Sequence, residues 1–144
     1  MGGDEVRHLL DTSVWLMSAL RPQVLPDEIA EIIGDAGETL GLSIFSLWEV
    51  AKKNQQGKLP LPMDLTVWLK AAVPPKIHVL PLTADIIVES TRLPEFPVND
   101  PADQLIVATA RVHKLMLLTS DTKLKGYCHA RIHYFTPVLE KGKR

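Results

Sequence analysis

The sequence predicts an α/β fold, in which a doubly wound, five-stranded parallel sheet is flanked by helices. Short apolar runs with β-branched or aromatic residues alternate with longer segments of helical period along almost the whole chain. Proline-marked breaks at residues 21–26, 59–62, 73–75 and 93–97 separate these segments. Such alternation favours right-handed crossovers between parallel strands, with helices covering both faces of the sheet.

Each element follows from its local pattern. Strands are predicted at residues 6–10, 40–43, 77–80, 115–119 and 132–135. Helices are predicted at residues 13–20, 27–36, 45–56, 63–73, 83–91 and 101–114. The clearest helix is 63–73, because its apolar residues recur at the spacing of one helix face; they are Leu65, Trp68, Leu69 and Ala72.

Length and composition are those of one compact domain over residues 1–144, with 46% hydrophobic and 23% charged residues. The formal net charge of -1 excludes a basic field over the whole molecule, so any contact with nucleic acid has to come from a local patch. The single cysteine, Cys128, excludes a disulfide within the chain. Because no signal-peptide pattern or membrane-length apolar run is present, we expect a soluble cytoplasmic protein.

Two aspartates follow predicted strands directly. Asp11 comes after the first strand and Asp121 after the fourth. Ligands of open parallel α/β sheets bind beyond the carboxyl ends of the strands, which is where both carboxylates are expected. Asp is also a preferred N-cap residue, so a purely structural role is an equal alternative for either residue taken alone.

A third carboxylate, Glu49, lies one turn into the predicted helix 45–56, on a largely apolar stretch with Phe45 and Trp48. Burying a carboxylate without a partner costs several kcal/mol, so a buried Glu49 would need a functional reason. The alternative is a partly exposed glutamate that pairs with Lys52 or Lys53, three or four residues further on.

The start of the helix 101–114 carries the most informative acid. Asp100 is placed as the N-cap and Pro101 as the first helical residue. Asp103 is followed, three, four and seven residues later, by apolar residues that form the buried stripe: Ile106, Val107 and Ala110. A carboxylate on that stripe points toward the end of the sheet, so Asp103 is favoured over Asp100 as a ligand.

Four separate segments would therefore bring carboxylates to one edge of the sheet. Like charges at close range raise each other's pKa and destabilise the fold, whereas a divalent cation neutralises them. An all-oxygen ligand set suits Mg²⁺ or Mn²⁺. Such an ion activates water for attack on a phosphodiester and stabilises the leaving oxygen.

The order of these motifs resembles the VapC-like PIN-domain ribonucleases of type II toxin-antitoxin pairs. Asp11-Thr12-Ser13 follows the opening strand, Glu49 lies in the third helix, and Asp100-Pro101-Ala102-Asp103 begins a later helix. The resemblance spans nearly the whole chain. It implies a five-stranded parallel sheet, cleavage of single-stranded RNA with Mg²⁺ (or Mn²⁺ in its place), a homodimer, and inhibition by a cognate antitoxin.

The resemblance also implies roles for individual residues. Asp11, Glu49 and Asp103 match the central acidic triad of the family, and Asp121 matches its more variable fourth acid, so these four are the expected catalytic and metal-binding residues. Supporting hydroxyl groups are expected from Thr12, Ser13, Thr119 and Ser120. Gln104 departs from the family, many members of which carry Arg there.

Other classes of protein make different demands on the sequence. A receiver-like signalling domain needs an aspartate after the third strand, where Leu80-Pro81-Leu82 offers none, and a haloacid-dehalogenase-type phosphatase needs one at Ser13. A PIN-like fold kept only as a non-catalytic binding module remains an alternative.

Three further groups of residues have side chains that could bind a metal, a base or a phosphate. Cys128, His129 and His133 are interpreted as surface residues of a strand, since Cys128 would face away from the two histidines. Trp15 and Trp48 are interpreted as core or interface residues, with base stacking as the alternative. Lys52, Lys53 and Lys58 are interpreted as a solvated helix face, with RNA phosphates as the alternative.

Overall fold

The computed structural model describes residues 5–139, which form a five-stranded parallel sheet with the strand order β3-β2-β1-β4-β5. The strands are β1 (Val6–Leu10), β2 (Thr39–Ser43), β3 (Ile77–Leu80), β4 (Met116–Thr119) and β5 (Ile132–Tyr134). Every pairing between neighbours is parallel. The predicted fold class is therefore confirmed, and all five strands lie where the sequence predicts them, within a residue at either end.

Helices cover the sheet. They are α1 (Thr12–Leu20), α2 (Asp27–Gly34), α3 (Ile44–Gln55), α4 (Leu65–Ala72), α5 (Ala84–Ser90) and α6 (Pro101–His113). Several end short of the predicted limits because a capping residue intervenes. The Asp64 carboxylate accepts a hydrogen bond from Thr66 N at 3.2 Å, so α4 begins two residues later than predicted. Lys114 adopts a left-handed conformation (φ 58°) and ends α6.

Two apolar cores lie on opposite faces of the sheet, because successive strand residues point to opposite sides. Leu10 and Leu118 pack on one face against residues of α1 to α4. Leu9 and Leu117 pack on the other face against α6. The stripe predicted for α4 is confirmed, since Trp68 is buried in the first core with its ring 5.4 Å from that of Trp15.

The sheet order determines where a ligand can bind. The chain runs outward from β1 to β2 and β3, and then returns to place β4 on the other side of β1. The order therefore reverses between β1 and β4, and the crevice beyond the carboxyl ends of these strands is the expected ligand site. A receiver-like domain has β3 beside β1 instead, so this order excludes that alternative. Within the described part of the chain, no helix is long and apolar enough to cross a membrane.

Candidate active site

The four acids predicted from the sequence line one cavity of about 360 Å³ beyond the ends of β1 and β4. Asp11 follows β1, Glu49 comes from α3, Asp103 from the first turn of α6, and Asp121 from the turn after β4. The other lining residues are Thr12, Ser13, Lys53, Asp100, Ala102, Ile106 and Lys123. The structure thus brings together all four segments.

Asp11 is both a helix cap and a residue of the cavity. Its side chain Oδ1 accepts a hydrogen bond from Thr12 N at 2.9 Å and caps α1. Its Oδ2 accepts from the Thr119 hydroxyl at 2.6 Å. The residue is only 7% exposed, and this burial raises the pKa of Asp11, with a smaller contribution from the charge of Asp121; the two hydrogen bonds oppose the rise. Asp11 therefore both caps α1 and lines the cavity.

Thr119 joins Asp11 to Asp121. While its hydroxyl donates to Asp11, the same oxygen accepts a hydrogen bond from Asp121 N at 3.0 Å. Asp121 Oδ1 accepts in turn from Lys123 N at 2.9 Å and caps the short 3-10 turn Thr122–Leu124. Because Thr119 is fully buried at the end of β4, it fixes the position of both acids relative to the sheet.

Glu49 is held by a chain of two hydroxyl groups. Thr12 Oγ1 donates to Glu49 Oε1 at 2.5 Å and lies 2.7 Å from Ser46 Oγ. Because a threonine hydroxyl carries a single proton, Ser46 has to be the donor in the second contact. Burial raises the pKa of Glu49, while the Thr12 hydrogen bond and the charge of Lys53 lower it. Glu49 is half-buried and lines the cavity, and because the charge of Lys53 acts on it, the alternative of a partly exposed glutamate paired with Lys53 stays open.

Asp103 has a strongly raised pKa. Burial, followed by the charges of Asp11, Asp100 and Asp121, raises the pKa of Asp103 from 3.8 to about 7. Asp100 Oδ1 accepts a hydrogen bond from Ala102 N at 2.8 Å, so it caps α6 as predicted, yet it also lines the cavity. Asp100 therefore contributes negative charge to the site as well as a helix cap.

The donor chemistry of the cavity fits a hard divalent cation. The charged groups in it that can bind a metal are all carboxylates, and burial together with their mutual repulsion raises the pKa of Asp103. Within residues 5–139, no three Asp, Glu, His or Cys side chains are arranged to hold a single ion together. Mg²⁺ keeps several waters and usually uses one or two protein carboxylates, so the cavity fits an ion that some of the acids reach through water.

Sequence reasoning missed some of the residues that organise this cavity. Ser46 lies one helical turn before Glu49, which was a usable signal for a supporting hydroxyl, and Lys123 lies two residues after Asp121. Lys53 was interpreted as part of a solvated face, whereas it lines the cavity one turn after Glu49. The hydroxyls of Thr12 and Thr119 do support acids, as the resemblance implied.

The cavity is not lined by Cys128, His129 or His133, nor by Trp15 or Trp48. The expectation that Cys128 and His129 lie on a strand is wrong, because β5 begins only at Ile132; His129 Nε2 instead lies 3.1 Å from Glu95 Oε1. Trp15 is fully buried and its ring N–H donates to Ala72 O at 2.8 Å, so base stacking on it is excluded. Trp48 is 57% exposed and stacks on Phe45.

Comparison with known proteins identifies the class to which this fold and site belong. The PIN domain model matches residues 8–130, and the chain belongs to the PIN-domain family. Nucleases of this family generally depend on a divalent metal. Among characterised relatives, Ribonuclease VapC22 of Mycobacterium tuberculosis is 30% identical over 123 residues, which cover 85% of this chain and 93% of that protein.

Solved structures show the same fold. DNA-bound VapBC from Salmonella typhimurium superposes with a TM-score of 0.69 at 16% identity, covering 90% of this chain and 98% of that one. VapBC2 from Rickettsia felis, bound to a DNA fragment from its promoter, superposes with a TM-score of 0.68 at 15% identity and the same coverage. At these identities the likeness concerns the fold.

Proposed function

We propose that this chain is the ribonuclease toxin of a toxin-antitoxin pair, and that it cleaves single-stranded RNA internally with Mg²⁺ in the cytoplasm. The observation that carries the proposal is the convergence of Asp11, Glu49, Asp103 and Asp121 on one cavity beyond β1 and β4, in a chain of the PIN-domain family. The relative named as a ribonuclease covers most of the chain and supports the same activity.

Asp11, Glu49 and Asp103 are the residues that would hold the metal, with Asp121 as a fourth. A divalent cation supplies an activated water as nucleophile and stabilises the leaving oxygen of a phosphodiester. The protein's own part is to position the acids. Each carboxylate offers about four lone-pair sites, so Asp11 keeps acceptor capacity beyond the two hydrogen bonds that orient it.

An RNA substrate is repelled by a site of net negative charge, so nearby cationic side chains are needed to bind its phosphates. Lys53 lines the cavity, and Lys52 precedes it on α3. The ammonium group of Lys53 is suited to bind an RNA phosphate, which offsets the repulsion between the acids and the RNA backbone, and Lys52 is a further candidate for such a contact.

A protein that cleaves RNA in its own cell requires control. The similar structures from Salmonella typhimurium and Rickettsia felis are VapBC assemblies. We therefore propose a cognate antitoxin, encoded beside this chain, as the inhibitory partner, and a homodimer as the toxin's own state. Co-expression of a small neighbouring open reading frame should relieve growth arrest caused by the toxin.

The direct test is cleavage of end-labelled single-stranded RNA by the purified protein with Mg²⁺. Asp11→Asn and Asp103→Asn should each lower the rate at least about a hundredfold, because each removes a charged ligand of the ion. Asp85→Asn is the matched control, since Asp85 is exposed on α5 and does not line the cavity; its activity should equal that of the unmodified protein.

Two outcomes would contradict the metal mechanism. One is unchanged cleavage by both cavity variants, and the other is full activity in excess EDTA. A protein that binds the RNA with Mg²⁺ but never cleaves it would instead support the alternative of a non-catalytic binding module.

A further inference from the structure

The side chain of Lys123 reaches toward the acidic cavity from the turn after β4. Its Nζ lies 4.0 Å from Asp103 Oδ2 and 4.0 Å from Asp121 Oδ2. Its backbone N–H also donates to Asp121 Oδ1 at 2.9 Å. The ammonium group therefore lies within ion-pair distance of two carboxylates that come from different elements, α6 and the turn after β4.

We propose that Lys123 is the resident counter-ion of the cavity, and that a divalent cation binds only by displacing its ammonium group from Asp103 and Asp121. Lys123 thereby stabilises the metal-free fold and sets how tightly the cavity holds the metal. The inference rests on the metal site of the proposed function, and it adds to that site a residue that is not a ligand.

The side chain is suited to be displaced. It is 59% exposed, and both of its ion pairs are at the long end of the range for such contacts. Lysine is a strongly hydrated point charge on a flexible stem, so it returns to water readily. Arginine would be different at this position, because its planar guanidinium forms two parallel hydrogen bonds with a carboxylate and is held more tightly.

The two lysines of the cavity act on different acids. Lys53 lowers the pKa of Asp11 and of Glu49, whereas the cation that lowers the pKa of Asp103 is Lys123. Lys123 therefore neutralises the side of the cavity formed by Asp103 and Asp121. Removing it takes away the ammonium group that lies 4.0 Å from both of these carboxylates.

Binding of Mn²⁺ to the purified full chain, measured by titration calorimetry at neutral pH and low salt, tests the proposal without any use of activity. Lys123→Met should bind Mn²⁺ about tenfold more tightly than the unmodified protein, because the competing charge is gone. Lys123→Arg should bind it about threefold more weakly, because the guanidinium is harder to displace. Lys123→Gln serves as a second neutral variant and should behave as Lys123→Met does.

Lys125→Met is the matched control. Lys125 is on the same segment, but its Nζ lies 5.1 Å from the centre of the Tyr134 ring. This variant changes the net charge by the same amount as Lys123→Met, so a general electrostatic effect would shift both alike. We expect Lys125→Met to change Mn²⁺ affinity less than about twofold, because exposed charges at longer range are screened.

The stability of the metal-free protein gives a second readout. In EDTA, Lys123→Met should melt at a lower temperature than Lys125→Met, and Mn²⁺ should raise its melting temperature by more. If Lys123→Met and Lys125→Met have equal Mn²⁺ affinity, or if Lys123→Arg binds as the unmodified protein does, the displacement proposal is wrong while the metal site stands. If the unmodified protein and all variants fail to bind Mn²⁺, the metal site itself is wrong and the proposal falls with it.

Discussion

Substitution of Asp103 by Asn should make the metal-free protein more stable at pH 8, although it removes a residue of the proposed active site. The raised pKa of Asp103, about 7 against 3.8, means that the folded state binds this proton more tightly than the unfolded state does. Between pH 3.8 and pH 7 the folded chain therefore carries more protons, and its stability falls as the pH rises through this window. Above pH 7 the folded state has lost the whole stability contribution of this proton.

The size of the effect follows from the same shift. A rise of this extent corresponds to about 4 kcal/mol if taken at face value. Solvent screening reduces it, since the side chain of Asp103 is 15% exposed. The first turn of α6 also favours a carboxylate by about 0.5 kcal/mol, which the variant loses. We expect a net gain of about 1 to 2 kcal/mol at pH 8 and almost none near pH 4.

Urea denaturation in EDTA, repeated from pH 4 to pH 8, measures this difference. The unmodified protein should lose stability as the pH rises, and Asp103→Asn should lose less. A residual slope is expected in the variant, because the pKa values of Asp11 and Glu49 are raised as well. Asp85→Asn, on the exposed face of α5, should follow the unmodified protein within about 0.5 kcal/mol. An Asp103→Asn variant that is no more stable at pH 8 would refute the claim that burying a charged Asp103 beside the other acids destabilises the fold.

Two further substitutions test how the cavity and core are held. Thr12→Val removes the hydroxyl that donates to Glu49. RNA cleavage should therefore fall about tenfold, and the free energy of unfolding should fall by about 1 kcal/mol. An unchanged cleavage rate would show that Glu49 needs no positioning. Trp15→Phe leaves the Ala72 carbonyl without its donor and should cost about 1 to 3 kcal/mol in urea denaturation, while the cleavage rate of the folded protein stays the same.

Local patterns predicted the elements of this fold well, because each depends on a signal within a few residues. The apolar spacing of Leu65, Trp68, Leu69 and Ala72 predicts α4, and Asp100-Pro101 marks the start of α6. Helix ends were less predictable, because the sequence does not distinguish a cap from the first helical residue. Asp64 and Thr83 fall within the predicted helices, but in the structure each accepts a hydrogen bond from the backbone as an N-cap. The strand order depends on long-range packing, and only the structure shows it.

The acids of the cavity could be predicted because they lie just after strands or within the first turns of helices. At such positions the parallel sheet places the side chain near the carboxyl ends of the strands. What could not be predicted is which acid each neighbouring hydroxyl or ammonium group contacts. The contact between Thr12 and Glu49 joins residues far apart in sequence, and Lys123 reaches Asp103 only because the turn after β4 passes the start of α6.

The acids of the cavity differ in how firmly their negative charge is stabilised by neighbouring groups. Asp11 receives hydrogen bonds from Thr12 and Thr119, whereas Asp103 faces Lys123 at 4.0 Å, the limit of an ion pair. Both donors to Asp11 belong to buried residues, so these hydrogen bonds depend little on the contents of the cavity, whereas a long contact to an exposed ammonium group depends on them. Asp103 is therefore the acid whose charge depends most on the occupant of the cavity. A cation that replaces Lys123 there should release a proton from part of the molecules near pH 7, because it lowers a pKa that stands close to that pH.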